Sequence, residues 1–285
     1  MRFPQEELVP VSTIRDHDHG QDQDAMSDSW RRIVAEIDAV PDGITVAVSL
    51  HHLERDERKE YLGHRPFRAA STIKILILSA LARALDSGML DLSTRIVPDP
   101  HTRVGGSGVL NWLSQDLSPT IADHAWLMIA ISDNTASNVL IDAVGLPAIA
   151  AVGRDLGLAE TALHRHFMST KRRAQDPSNN VSAVDLTAIM TAIATDRAAS
   201  HEHCAWMRSL LGDQQYREGI PRHLPEGIDY AGKTGWQSEI VHDCGLLTGP
   251  GGTIALAVLT EGYAEPYPAQ EVMGAIGTLA AQVIA

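Results

Sequence analysis

The sequence predicts an α/β chain of the α+β type. A mostly antiparallel sheet is built from both chain ends and flanked by helices, with an all-helical lobe inserted in the middle. Three observations predict this. Strand-like runs sit at both ends of the 285 residues, at Ile44–Leu50 and Lys59–Gly63, then at Gly227–Lys233, Glu239–Thr248 and Gly252–Glu261. Between these groups, from Asn111 to about Met207, apolar residues recur at helical spacing. Short Gly-containing turns join the C-terminal runs, which favours antiparallel neighbours.

Taken in order, residues 1–26 read as a tail. Asp16–Asp24 alternates His, Asp, Gln and Gly with almost no apolar side chain. A metal-binding cluster is one reading of it; a solvated, partly disordered arm is the favoured one. Ser27–Val40 is amphipathic, with Trp30, Ile33, Val34 and Ile37 at helical spacing. A charged turn, Glu54–Arg58, joins the first two strands. A helix follows from Ser71 to about Leu85 and stops near Gly88. Val97–Gly108 is punctuated by Gly and Pro and reads as loop. The helical middle is interrupted at His164–Asn180, too polar for a core element and read as a long surface loop. A last helix fits Ala269–Ala285. The expected division is one domain over 27–285, with an α/β lobe of 27–95 and 215–285 and a helical lobe of 96–214.

Composition narrows the function. With 44% apolar and 21% charged residues the chain has the balance of a globular protein. A net charge of −13 argues against a nucleic-acid surface. No run approaches the length of a membrane span. Met1–Leu8 has no apolar h-region, so the expectation is a cytoplasmic protein if Met1 is the natural start. Cys204 and Cys244 are too few for a disulfide framework and read as buried thiols. No metal or cofactor is expected.

The chemistry concentrates in Phe67–Lys74. Ser71 stands at the start of the helix, and Lys74 follows one turn later on the same face. A hydroxyl near unpaired backbone N–H groups, with an amine beside it, has the parts of an activated nucleophile. A lone S-x-x-K is common, but two further stations follow in order. Ser132-Asp133-Asn134 lies where one helical pattern ends and another begins, and Lys233-Thr234-Gly235 lies on the first C-terminal strand.

This ordered triple resembles that of class A β-lactamases and penicillin-binding proteins. The resemblance covers roughly residues 28–285 and includes similar spacing between stations, Gly105–Leu110 before the helical lobe and Gln215–Pro225 before the last strands. It implies a β-lactamase-like fold and a serine acyl-transfer reaction on a small amide, ester or β-lactam substrate. In that reading Ser71 is the nucleophile, Lys74 takes or relays its proton, and Ser132 passes a proton to the leaving nitrogen. Lys233 lowers the pKa of Lys74 and, with Thr234, holds a substrate carboxylate. Asn134 bonds a substrate amide. The N–H groups of Ser71 and Trp236 form the oxyanion hole, with Gly235 beside them.

The chain departs from that family at one point. The family's T-x-L-x-R-x-E pattern aligns with Thr161–Phe167, so Phe167 stands where the water-activating glutamate is expected, and Lys171 replaces a neighbouring asparagine. Hydrolysis of the ester is therefore expected to be slow unless another base serves. His164, His166, Asp176 and the pair His242-Asp243 are the candidates, the pair foremost. The resulting expectation is a serine hydrolase or a transacylase. The alternatives are a true β-lactamase with a different base, or a penicillin-binding receptor with slow turnover. Gly227–Thr234 also matches a phosphate-loop pattern, but a strand must precede such a loop and a helix must follow it, and neither is indicated here.

Overall fold

The computed structural model describes residues 19–169 and 177–285, and side chains from residue 25. Lys171, Asp176 and most of the proposed tail lie outside the described residues. Five strands form the main sheet: β1 (Thr45–His52), β2 (Glu57–Tyr61), β5 (Asp229–Gln237), β6 (Ile240–Gly249) and β7 (Gly252–Glu261). Their order is β2-β1-β7-β6-β5, antiparallel throughout. The N-terminal hairpin pairs directly with the last strand, as the distribution of strand signals predicts. A second, two-stranded sheet joins β3 (Phe67–Arg68) to β4 (Asn180–Val181).

Both faces of the main sheet are covered, and strand alternation decides which side chain meets which layer. Val46, Val48 and Leu50, with Ile254, Leu256 and Val258, point into one core. There they meet α1 (His19–Asp38) and α8 (Pro266–Ala281), which also touch each other. Ala47, Ala255, Ala257 and Leu259 point the other way, into the core of the helical part. That part holds α2 (Lys74–Asp86), α3 (Ile121–Ala130), α4 (Asn134–Val144), α5 (Leu146–Asp155), α6 (Ala183–Ala194) and α7 (His201–Gly212). In α2 eleven residues are buried, because α4, α5 and α7 surround it; a helix apolar on every side has no solvent face.

Two boundaries differ from the sequence reading. The first helix reaches back to His19 rather than Ser27, through polar residues that carry no periodic signal. The last helix spans Pro266–Ala281 rather than Ala269–Ala285; Pro is well placed in a first turn, where its missing N–H costs nothing. Helix α6, assigned above to the helical lobe, lies on strands β1, β6 and β7. It is tied there by the Thr187 hydroxyl, which donates to the Ser49 carbonyl, and by a 3.0 Å bond between Thr191 Oγ1 and His51 Nδ1. Gly227–Thr234 runs into β5 and is followed by β6 with no helix after it, in keeping with the rejection of the phosphate-loop match. No single helix among the described residues is long and apolar enough to cross a membrane.

Candidate active site

Helix α2 begins at Lys74, and Ser71 sits in a tight turn immediately before it. The Lys74 and Ile75 N–H groups donate to the Ser71 and Thr72 carbonyls, each at 3.2 Å, which winds the chain as a 3₁₀ turn into the helix. Ala70, just upstream, holds φ +45°. That left-handed backbone is costly for a side-chain-bearing residue and aims the turn toward the cleft.

The second station is built by α4. Asp133 is its N-cap, accepting from the Ala136 N–H at 2.8 Å, as expected of a Ser-Asp-Asn sequence at a helix start. The other Asp133 oxygen accepts from the Val109 and Leu110 N–H groups at 2.6 and 2.9 Å and so anchors the 105–110 loop. Gly108 must be glycine there, since it holds φ +101° with Asp133 directly against it. Ser132 adopts φ +57°, which turns its hydroxyl and its carbonyl toward Lys74.

Lys74 joins the first two stations. Its Nζ donates to the Ser132 carbonyl at 2.7 Å, to Ser132 Oγ at 3.1 Å and to Asn134 Oδ1 at 3.0 Å. The amine is fully buried. Burial first, and the Lys233 charge second, hold its pKa well below the usual lysine range, against the pull of Asp133. A neutral amine keeps two donors for the carbonyl and the amide and frees one lone pair to take a proton from a hydroxyl.

The third station arrives on β5, whose register sets Lys233 opposite Cys244, Thr234 opposite Asp243 and Gly235 opposite His242. A Cβ on Gly235 would lie 2.8 Å from the Ser71 nitrogen and 2.9 Å from the Thr72 nitrogen, so the strand presses against the Ser71 turn where only glycine fits. Lys233 is fully buried, and burial lowers its pKa to about 7, opposed by the Asp243 carboxylate. Trp236 follows Gly235 with its side chain in solvent.

The eight sequence-predicted residues thus line or directly support one cleft. Ser71 stands between its halves. One half, about 650 Å³, is bounded by Arg68, Asn134, Arg165, Phe167 and Trp236. The other, about 540 Å³, is bounded by Ser132, Tyr216, Thr234, Asp243 and Gln270.

The replacement bases fare differently. His242 is fully buried, its Nε2 placed 3.0 Å from the Arg68 carbonyl, while its Nδ1 accepts from the Thr260 N–H at 3.2 Å. Both nitrogens are committed, and burial lowers its pKa to about 4. Asp243 is bonded by the Tyr230 hydroxyl at 2.5 Å and the Ile220 N–H at 2.9 Å, and lines the half of the cleft that Phe167 does not. The favoured pair therefore supplies no base on the loop side. His164 is exposed, and its backbone N–H donates to Asn179 Oδ1. His166 lines the cleft beside Phe167 but is bonded to Asp142 at 2.7 Å. Phe167 itself lies with its ring centroid 4.5 Å from Lys74 Nζ.

Sequence reasoning missed Asn138. Its side chain accepts from the Phe167 N–H at 2.8 Å and donates to the Phe167 carbonyl at 3.2 Å, fixing the loop on α4. Its place one turn after Asn134, on the same face, was the available signal.

Comparison with known proteins agrees with this geometry. The Beta-lactamase enzyme family matches residues 29–284. The chain is similar to a β-lactamase from Sphaerobacter thermophilus, with 37% identity, a TM-score of 0.84, and coverage of 89% of this chain and 97% of that one. It shares the fold of PBP-A at 24% identity, a TM-score of 0.81, and coverage of 89% and 94%. It is 26% identical over 195 residues to β-lactamase BRO-1 of Moraxella catarrhalis, which is 65% of this chain, and it spans 60% of the length of that relative. A match running through nearly the whole described domain, and three stations meeting at one turn, make this chain a member of the β-lactamase enzyme family.

Proposed function

We propose that the protein is a serine acyl-transfer enzyme that opens amide, ester or β-lactam carbonyls through an ester on Ser71. The observation that carries this reading is the position of Lys74, one turn from Ser71 and bonded at once to Ser132 and Asn134. In the proposed step neutral Lys74 takes the Ser71 hydroxyl proton, directly or through Ser132, as the Oγ–carbonyl bond forms. The oxyanion is received by the Ser71 and Trp236 N–H groups, each such donor being worth about 3 kcal/mol. Ser132 returns the proton to the leaving atom as its bond to the carbonyl breaks, and the ester remains on Ser71. Attack by water, an alcohol or an amine then releases the acyl group and restores the hydroxyl.

Phe167 supports slow release to water, because a phenyl ring faces Lys74 where a carboxylate would hold that water. This favours a transacylase, or an acyl-enzyme that persists, over rapid β-lactam hydrolysis. Among the structural relatives, a mutant of PBP-A has been solved as an acyl-enzyme complex with penicillin G. The test is incubation with a fluorescent penicillin followed by intact-mass analysis. The expected result is a stable single adduct in the wild type and none in Ser71→Ala. Labelling that survives in Ser71→Ala would overturn the assignment of the nucleophile, and fast turnover of a chromogenic cephalosporin would overturn the slow-release reading.

A further inference from the structure

A cavity of about 750 Å³ opens between the β1–β2 hairpin and α6 and shares no lining residue with either half of the cleft. Its floor is polar, where a helix packed on a sheet ordinarily buries apolar side chains. On the helix-facing side of β1, Ala47 is followed by Ser49 and His51, and α6 meets them with Thr187 and Thr191. All four polar residues line the cavity, and each is no more than 6% exposed. Around this floor stand cations. Arg58 lies opposite His51 in the hairpin, its guanidinium 3.3 Å from His51 Nε2 and 2.8 Å from Asp56. Lys59 is paired with Glu57 at 3.1 Å. The two carboxylates that line the cavity, Glu60 and Asp155, already face basic side chains, His64 at 3.4 Å and Arg83 at 2.8 Å. Arg197 has no such partner. Its Nε donates to Thr195 Oγ1 at 3.0 Å, and it forms no ion pair among the described residues. The backbone that carries it is fixed: Asp196 holds φ +56°, and the Arg197 N–H donates to the Ala192 carbonyl at 2.8 Å. Burial lowers the pKa of His51; the Asp56 bond opposes this, and the charges of Arg58 and Arg197 add to it.

We propose that this cavity is a second binding site, for a polar ligand that carries an oxyanion, with the anion held by Arg197 and the uncharged body lying against the Ser49, Thr187 and Thr191 wall. A guanidinium presents parallel N–H donors that match phosphate or carboxylate. The volume lies within the range of small-molecule sites and exceeds what a bare anion needs. A chain of net charge −13 repels anions as a whole, so affinity for one must come from the cations at this spot. The site stands independently of the acyl-enzyme reading, since none of its residues takes part in that chemistry.

The probes are inorganic phosphate, glycerol phosphate and succinate, with glycerol as the uncharged control. Each is titrated at low ionic strength into the isotope-labelled full chain, and amide NMR shifts report both affinity and place. The anions are expected to shift the amides of residues 49–51, 191 and 197 saturably, while glycerol does not. Arg197→Gln, an exposed change, is expected to weaken anion binding about tenfold. Tighter binding of glycerol phosphate than of succinate identifies a phosphate ester as the source of the oxyanion, and the reverse order identifies a carboxylate; either supports the site. Shifts confined to residues 71, 132–134 and 233–236 would place the anion in the cleft and overturn the proposal. Unchanged affinity in Arg197→Gln, binding of glycerol as tight as that of its phosphate, or no saturable shift with any of the three anions would overturn it equally.

Discussion

At the scale of a single side chain, Phe167 is the residue on which release of the proposed Ser71 ester turns. Its ring faces the buried amine of Lys74 at 4.5 Å and offers a π-surface where a base would be needed. Replacing it with a carboxylate at the same backbone position, which Asn138 holds at both its N–H and its carbonyl, supplies a group able to orient and deprotonate water. Phe167→Glu is expected to speed loss of a penicilloyl adduct by about 100-fold, in line with a positioned general base. The measurement is the decay of the adduct mass after removal of free penicillin. An unchanged decay would mean that this position does not face the ester.

Among the elements, α4 carries the most of the site. Its cap residue anchors the 105–110 loop, its first residue bonds Lys74, and one turn later Asn138 fixes the 164–169 segment and donates to the Thr102 carbonyl at 3.3 Å. Asn138→Ala removes three hydrogen bonds and is expected to cost about 2 kcal/mol of unfolding free energy. It should also raise the rate of proteolytic cleavage in the loop, read by urea titration and by limited digestion. Much of this element was legible in the sequence. Ser132-Asp133-Asn134 at a helix junction, Ser71 ahead of an apolar run and Lys233 on a strand each combine a reactive residue with a periodic pattern. The bonds of Asn138 and His242 were not legible, because a side chain that satisfies a backbone group far along the chain leaves no periodicity. The start of α1 was hidden for a related reason: residues 19–25 are almost wholly polar. The placement of α6 on the sheet was masked because its apolar surface suits a helix or a sheet neighbour equally well.

Across the whole molecule, His242 ties three strands together, through the Arg68 carbonyl of β3 and the Thr260 N–H of β7. Its pKa is lowered from 6.5 to about 4, so the folded state binds fewer protons than the unfolded chain between those values. The imidazole's contribution to stability is therefore complete above 6.5 and lost as pH falls through that window. Asp243, raised to about 6, works in the opposite sense over part of the same range, so the imidazole must be isolated by comparison. His242→Gln is expected to be less stable than the wild type at neutral pH, with the deficit shrinking by about 2 kcal/mol on acidification to about pH 5, measured by urea unfolding. A deficit constant with pH would show that folding leaves the pKa of this imidazole unchanged. The pairing of β1 with β7 has a consequence for biosynthesis. A nascent chain leaving the ribosome carries Ser71 and its whole helical surround well before residues 252–261 exist to close the sheet. Strand β5, which presses on the Ser71 turn, can then dock only once its partner β6 has been translated. Competence for chemistry should thus appear only after release of the finished polypeptide, and premature termination anywhere upstream of β7 should yield an inert product.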